Sequence, residues 1–321
     1  MRPALSGVLA PVVTPFDASG DALDLPAFLA NVRAHLTAGC TGVVVTGSTG
    51  EAALLDEAER VALIRAARTV VGCDRWLIAG IGAESTRCTV ERAHAAAGAG
   101  ADAVLVVGPH YYPQSSTPTA LRSHYTRTAE ASPVPVLLYN IPKYMHYALP
   151  PAVVRELAQH PNVIGMKDSS GDAALLAAYL ESQGDTFTVL KGHGGTVDAA
   201  MAAGVRGAIL AVALFAAALT HALWEAARVG RVAEAYTLQA RLLPLARDIV
   251  GMLGVAGVKA ALELVGLAGG SVRAPLQALT ADERAHVARL MRTALAADPV
   301  AESGQVQSRP TAARARPSAR G

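Results

Sequence analysis

Eight short stretches of almost unbroken apolar sequence recur along the chain, at 7–16, 42–50, 76–83, 101–109, 135–142, 162–170, 187–194 and 206–214. Continuous rather than alternating apolarity is the pattern of parallel strands covered on both faces. Between these stretches lie helix-length segments with apolar residues at i, i+3 and i+4. The segment 56–72 is an example: it opens on Asp56, a capping residue, and closes on Gly72. Strand and helix alternate eight times over about 215 residues, which predicts a (β/α)₈ TIM barrel, an α/β fold. An open doubly wound sheet would favour a GxGxxG turn after the first strand; here that strand ends in Thr14-Pro15-Phe16. Four further helical patterns follow residue 220. The expected organisation is a barrel over 1–220, a helical extension of the same domain over 221–297 packed on the barrel side, and a disordered basic tail over 298–321.

Composition narrows the classes. The 321 residues are 52% hydrophobic but only 4% aromatic, so the core is built from small aliphatic side chains. Net charge is +2, and the segment from Val300 to Gly321 carries +3 of it, from four arginines against Glu302; the remainder is −1. A near-neutral body offers no electrostatic case for nucleic acid. The cysteines Cys40, Cys73 and Cys88 are odd in number and lack a CxxC pair, which argues against a disulfide framework and a zinc site. The apolar stretch 200–223 is interrupted by Arg206 and two glycines, so it reads as strand plus helix rather than a membrane span. The protein is expected to be soluble and cytoplasmic, with no metal and no cofactor.

In barrels of this kind chemistry sits at the C-terminal ends of the strands. The first such residue is Lys167, directly after the apolar run Val163-Ile164-Gly165-Met166. Only four of the 28 basic residues are lysines: Lys143, Lys167, Lys191 and Lys259. Arginine cannot act as an amine nucleophile, whereas a desolvated lysine can. A neutral amine at Lys167 condenses with a ketone to an imine, an electron sink for breaking or making a C–C bond. Its neighbour Asp168 points to the opposite face of the strand and is not its natural partner. Lys191 is the rival amine, also at a strand end, and chance survival is the reading accepted for Lys143 and Lys259. Tyr139 ends the preceding strand, one strand spacing from Lys167. It is either a proton shuttle or rim packing. Gly47-Ser48-Thr49-Gly50 suits an anion such as a carboxylate or is an ordinary turn, with Glu51 capping it. His193 either hydrogen-bonds a distal substrate group or sits in solvent.

Taken together, five motifs resemble the dihydrodipicolinate synthase/N-acetylneuraminate lyase superfamily, class I pyruvate-type aldolases on a TIM barrel. They are VVTPF (12–16), GSTGE (47–51), PHYYP (109–113), VLLYNIP (136–142) and VIGMKDSSGD (163–172). The resemblance covers roughly residues 5 to 297. It implies that Lys167 forms a Schiff base with a 2-oxo acid, Tyr139 shuttles protons, Ser48 relays them and Thr49, beside Gly47, binds the carboxylate. It implies that Tyr111 is offered to a neighbouring subunit, hence a homodimer or homotetramer, and that Gly192 and Ile209 line the pocket. Lys191 then becomes a non-nucleophilic neighbour.

Branch assignment follows the departures. Dihydrodipicolinate synthases carry an arginine where Tyr144 stands, and sialic acid lyases carry Asp-Glu where Gly194-Gly195 stands. The stretches 79–91, 159–172 and 273–279 look most like 4-hydroxy-2-oxoglutarate aldolases, which differ at Thr49 and His193. The expected activity is therefore a 4-hydroxy-2-oxoglutarate aldolase-like lyase. The alternatives are a dihydrodipicolinate synthase-like condensing enzyme, a keto-deoxy-acid dehydratase, and, outside enzymes, a non-catalytic barrel that binds a 2-oxo acid.

Overall fold

A computed structural model describes residues 4–296. The expected basic tail lies outside the described residues. The eight strands close into one parallel barrel in sequence order: β1 (Gly7–Pro11), β2 (Gly42–Val45), β3 (Trp76–Gly80), β4 (Ala103–Val107), β5 (Val136–Asn140), β6 (Val163–Asp168), β7 (Thr188–Lys191) and β8 (Gly207–Ile209). All eight apolar stretches contain a strand, but each strand is shorter than its stretch, and its C-terminal residues become loop. The excess leaves the sheet: chain such as 46–50 turns over the barrel mouth.

The helices are α1 (Leu25–Thr37), α2 (Glu57–Arg68), α3 (Thr86–Gly98), α4 (Pro118–Ala131), α5 (Pro142–Met145), α6 (Pro151–Leu157), α7 (Ala173–Leu180), α8 (Val197–Ala202), α9 (Ala217–Arg228), α10 (Val232–Pro244), α11 (Gly254–Leu264) and α12 (Ala281–Leu295). Local chemistry sets their starts. Asp56 accepts from the Glu59 backbone N–H while the Glu59 side chain accepts from Asp56 N, a reciprocal cap on α2. Asp24, Ser85, Thr117, Asp172 and Thr280 cap α1, α3, α4, α7 and α12. The strands are buried almost throughout, as a sheet wrapped by helices requires.

The apolar stretch 200–223 resolves into the end of α8, β8 and the start of α9, and no helix of the described residues is long and apolar enough to cross a membrane. The pattern over 231–253 departs from one helix. After Pro244 the chain widens into a π-helical segment, Leu245–Met252, before α11. Such segments are uncommon and often mark functional sites. This one and α11 line the cavity at the barrel mouth rather than packing only on the barrel side. The apolar face of α11 predicts burial without saying against what.

Candidate active site

The register of β5 against β6 pairs Tyr139 with Lys167 directly. Both side chains are buried, at 4% and 6% exposure. Lys167 Nζ donates to Tyr139 Oη at 3.3 Å and lies 4.3 Å from the centre of the phenol ring. Among the described residues no carboxylate pairs with Lys167. One position on, Asn140 and Asp168 face the opposite way, as strand alternation demands. Asn140 Nδ2 donates to Asp168 Oδ1 at 2.8 Å, and Ser170 donates to the same carboxylate from its backbone N–H at 3.1 Å and its hydroxyl at 2.9 Å. Lys191, paired in register with Asp168, is buried behind the site. Desolvation pulls its pKa below the usual lysine value, with Asp168 opposing. It does not line the cavity.

That cavity holds ≈ 140 Å³ at the mouth of the barrel. Lys167, Tyr139, Ser48, Thr49, Tyr144, Gly192, His193 and Ile209 all line it. Gly47 precedes the lining, and Tyr111 stands outside it, 72% exposed on the loop after β4. The neighbouring Tyr112 is similarly exposed and meets Tyr111 edge to face at 4.9 Å. A larger cleft of ≈ 880 Å³ adjoins the mouth through Ser48, Lys143 and Tyr144 but does not reach Lys167.

Backbone strain shapes the carboxylate-binding candidate. Thr46 and Glu51 both adopt left-handed conformations, φ 51 and 57, on either side of the turn Ser48–Gly50. Non-glycine residues rarely rest there, and they persist only when their surroundings hold them. Thr46 Oγ1 donates to the Gly80 carbonyl at 2.9 Å, and Thr14 Oγ1 donates to the Gly50 carbonyl at 2.7 Å.

Glu51 caps the turn through its backbone, whose N–H donates to the Ser48 carbonyl at 3.2 Å, while its side chain is used elsewhere. Its side chain is fully buried and pairs with Lys259 of α11 at 2.5 Å. It also accepts from the Arg273 backbone N–H at 2.9 Å. Lys259 donates on to the Ser271 carbonyl at 2.6 Å and lies over Phe16, 4.7 Å from the ring centre. Desolvation lowers the Lys259 pKa, and the Glu51 charge opposes the shift. Lys259 is thus no chance survivor; it ties the helix beside the pocket to the loop that presents Ser48 and Thr49.

Lys143 is also more than a stray lysine: it lines the cavity and donates to the Gly251 carbonyl in the π-helical segment at 2.7 Å. Scarcity of lysine was the signal that could have found both. His193 Nδ1 accepts from the Gly195 backbone N–H at 3.3 Å, which leaves Nε2 to carry the proton of the neutral ring. Burial, with help from Lys191, pulls its pKa below the ordinary histidine value, against a smaller opposing pull from Asp168. Among the described residues no aspartate or glutamate lines the cavity, and no group of three or more His, Cys, Asp or Glu is placed to hold a metal ion. The three cysteines are free.

A buried amine held against a phenol on the adjoining strand, at the C-terminal mouth of a closed parallel barrel, places the protein among the (β/α)₈-barrel enzymes. Comparison with known proteins narrows the class. The model of the dihydrodipicolinate synthetase family matches residues 4–294. A 4-hydroxy-tetrahydrodipicolinate synthase of an Exiguobacterium species is 34% identical over 286 residues, 89% of this chain and 97% of that protein. Two crystal structures superpose closely. A dihydrodipicolinate synthase from Bacillus anthracis gives a TM-score of 0.86 at 31% identity, covering 90% of this chain and 98% of that one. One from Acinetobacter baumannii, complexed with pyruvate, gives 0.85 at 30% identity, covering 91% and 99%. The chain belongs to the dihydrodipicolinate synthetase family, and it is a lyase.

Proposed function

We propose that Lys167 forms a Schiff base with pyruvate or a related 2-oxo acid, and that a C–C bond adjacent to that acid is then made or broken. The observation that carries this reading is the 3.3 Å contact between Lys167 Nζ and Tyr139 Oη in a cavity lined by no carboxylate. The uncharged amine adds to the carbonyl carbon. Tyr139 passes a proton to the departing oxygen, which leaves as water, and a protonated imine remains. Loss of a proton from the adjacent carbon gives an enamine that attacks an aldehyde. In reverse, the imine accepts the electron pair of the breaking bond and an aldehyde departs. Ser48 and Thr49 hold the acid's carboxylate, with Ser48 relaying protons to Tyr139. Pyruvate bound to a relative of 30% identity supports the donor.

For the second reactant, the names carried by relatives favour condensation of the 4-hydroxy-tetrahydrodipicolinate synthase type over the aldolase activity expected from sequence. One observation favours cleavage of a 4-hydroxy-2-oxo acid as the second reading: Tyr144 lines the mouth, and among the described residues no arginine does. Bidentate recognition of a carboxylate by a guanidinium is therefore absent from the lining.

Borohydride reduction with pyruvate, followed by peptide mapping, should place a pyruvyl adduct on Lys167. An adduct on Lys191, or none on folded protein, overturns the reading. Aspartate semialdehyde consumed together with pyruvate supports condensation; release of an aldehyde from 4-hydroxy-2-oxoglutarate supports cleavage.

A further inference from the structure

We propose that the larger cleft beside the barrel mouth holds a modification site: Cys88 exchanges with disulfides that carry a carboxylate near their sulfurs, and Arg60 holds that carboxylate in the mixed disulfide formed. The site is separate from the imine chemistry above, because the cleft does not reach Lys167.

Arg60 carries the inference. It lies on α2, is 6% exposed and lines the cleft. Its Nη1 donates to the Gly80 carbonyl at 3.4 Å and its Nη2 to the Ala52 carbonyl. Its Nε finds no partner, and among the described residues no carboxylate forms an ion pair with it. Burial pulls its pKa down to about 10, with Arg92 adding to the shift and Glu57 and Cys88 opposing it. It is therefore a cation at neutral pH. A buried cation with an unused donor, on the wall of an open cleft, is satisfied by an anion. The other charges on this wall are already spent. Arg92 donates to Glu57 Oε1 from Nε at 2.8 Å and from Nη2 at 2.6 Å. Glu84 pairs with His110 Nδ1 at 3.0 Å and accepts from the backbone N–H groups of His110 and Tyr111.

Cys88 sits in the first turn of α3, is partly exposed and lines the same cleft. Its backbone N–H donates to Ser85 Oγ at 3.1 Å, which fixes the turn. Its sulfur is near enough for its charge to act on Arg60. The first turn of a helix favours negative charge, and thiol–disulfide exchange proceeds through the thiolate. The Cys88 thiolate attacks one sulfur of the incoming disulfide. A new S–S bond forms as the old one breaks, and the second half leaves as a thiolate, so no further oxidant is consumed. The other two thiols supply the contrast. Cys73 is exposed and precedes Asp74. Cys40 is buried, and burial pushes its pKa up to about 11 against the pull of Arg75.

The test treats the full chain with excess dithiodipropionate, with its uncharged diamide or with cationic cystamine. Peptide mass mapping reads the rate at each cysteine, and the rates at Cys73 normalise the intrinsic reactivity of the reagents. Cys88 should prefer the dianion over the diamide by about 10-fold and react slowest with cystamine. Arg60→Met should erase the preference, with Cys40 unlabelled as the sign of an intact barrel. Arg92→Met should keep it, because Glu57 already cancels the Arg92 charge. Should Arg60→Met open Cys40 to reagent, the wild-type order of reagents and the Arg92→Met result decide. A wild-type protein without that order, or one whose Cys88 stays unmodified while Cys73 reacts, overturns the proposal. So does a preference that survives Arg60→Met or disappears with Arg92→Met.

Discussion

The amine of Lys167 and the phenol of Tyr139 occupy paired positions on adjacent strands, and each has a distinct expected loss. Lys167→Ala should abolish pyruvate capture and turnover while cooperative thermal unfolding is retained; an active variant would refute the chemistry. On the proposed mechanism Tyr139→Phe keeps the nucleophile and removes the proton carrier, so turnover should fall by about 10²–10⁴, the usual worth of positioned acid–base catalysis. Gly192 supplies a third test. A methyl group there would sit 2.8 Å from Lys167 Cε and 2.0 Å from Ser169 Oγ. Gly192→Ala should therefore slow imine formation on the order of 10²-fold by displacing the amine, seen as slower capture at saturating pyruvate. Lys167, Tyr139 and the turn after β2 were legible because lysine after a buried run, and hydroxyls after another, contradict the local pattern. Lys143 and Lys259 were equally rare yet passed over: a sequence shows that a residue type is scarce, not which face of a helix meets the pocket.

Elements that carry no reactive group still set the site. The turn Ser48–Gly50 is braced from behind by the buried pair of Glu51 with Lys259, which ties α11 to the loop that presents Ser48 and Thr49. Removing one charge strands the other in a dry interior, which costs about 3–5 kcal/mol. Lys259→Met should lower the urea midpoint accordingly and raise the pyruvate concentration needed for half-capture, because Ser48 and Thr49 lose their support. The double variant Glu51→Gln/Lys259→Met should recover most of the stability, since buried ion pairs are seldom better than apolar replacements. A double variant no more stable than the single would mean that the pair itself, and not its half-broken state, is what stabilises the loop. The strands were readable because parallel strands advertise themselves as unbroken apolar runs. Their ends were not, because the loop residues that follow are also buried, but by the pocket and its bracing rather than by the sheet. The π-helical segment escaped for a similar reason: Pro244 hints at a break without specifying that the helix widens and continues.

Closure of the whole barrel was visible as the eightfold alternation, whereas the solvation of its titrating groups belongs to three-dimensional packing. His35 on α1 and His124 on α4 are both buried, and burial presses each pKa down from 6.5 to about 4; at His124 the Glu84 charge opposes the shift and Arg127 adds to it. His124 Nδ1 meets the Thr86 hydroxyl at 2.9 Å, while Nε2 of both rings finds no partner among the described residues. Below pH 6.5 the unfolded chain binds protons at these two sites and the native barrel does not until about pH 4. Stability is therefore full above 6.5 and falls as pH drops through the interval, at up to about 1.4 kcal/mol per unit for each histidine. His193 and His221, also lowered by burial, add to the loss with the same sign. Carboxylates whose pKa values are lowered, such as Glu59 against Arg273, release their contribution only at lower pH, so the interval between about pH 6.5 and 5 reports the histidines. The melting temperature should decline across that interval, and His35→Leu should reduce the slope. A melting temperature flat from pH 7 to 5 would mean that the buried rings find charge-stabilising partners on protonation, against the burial that isolates them.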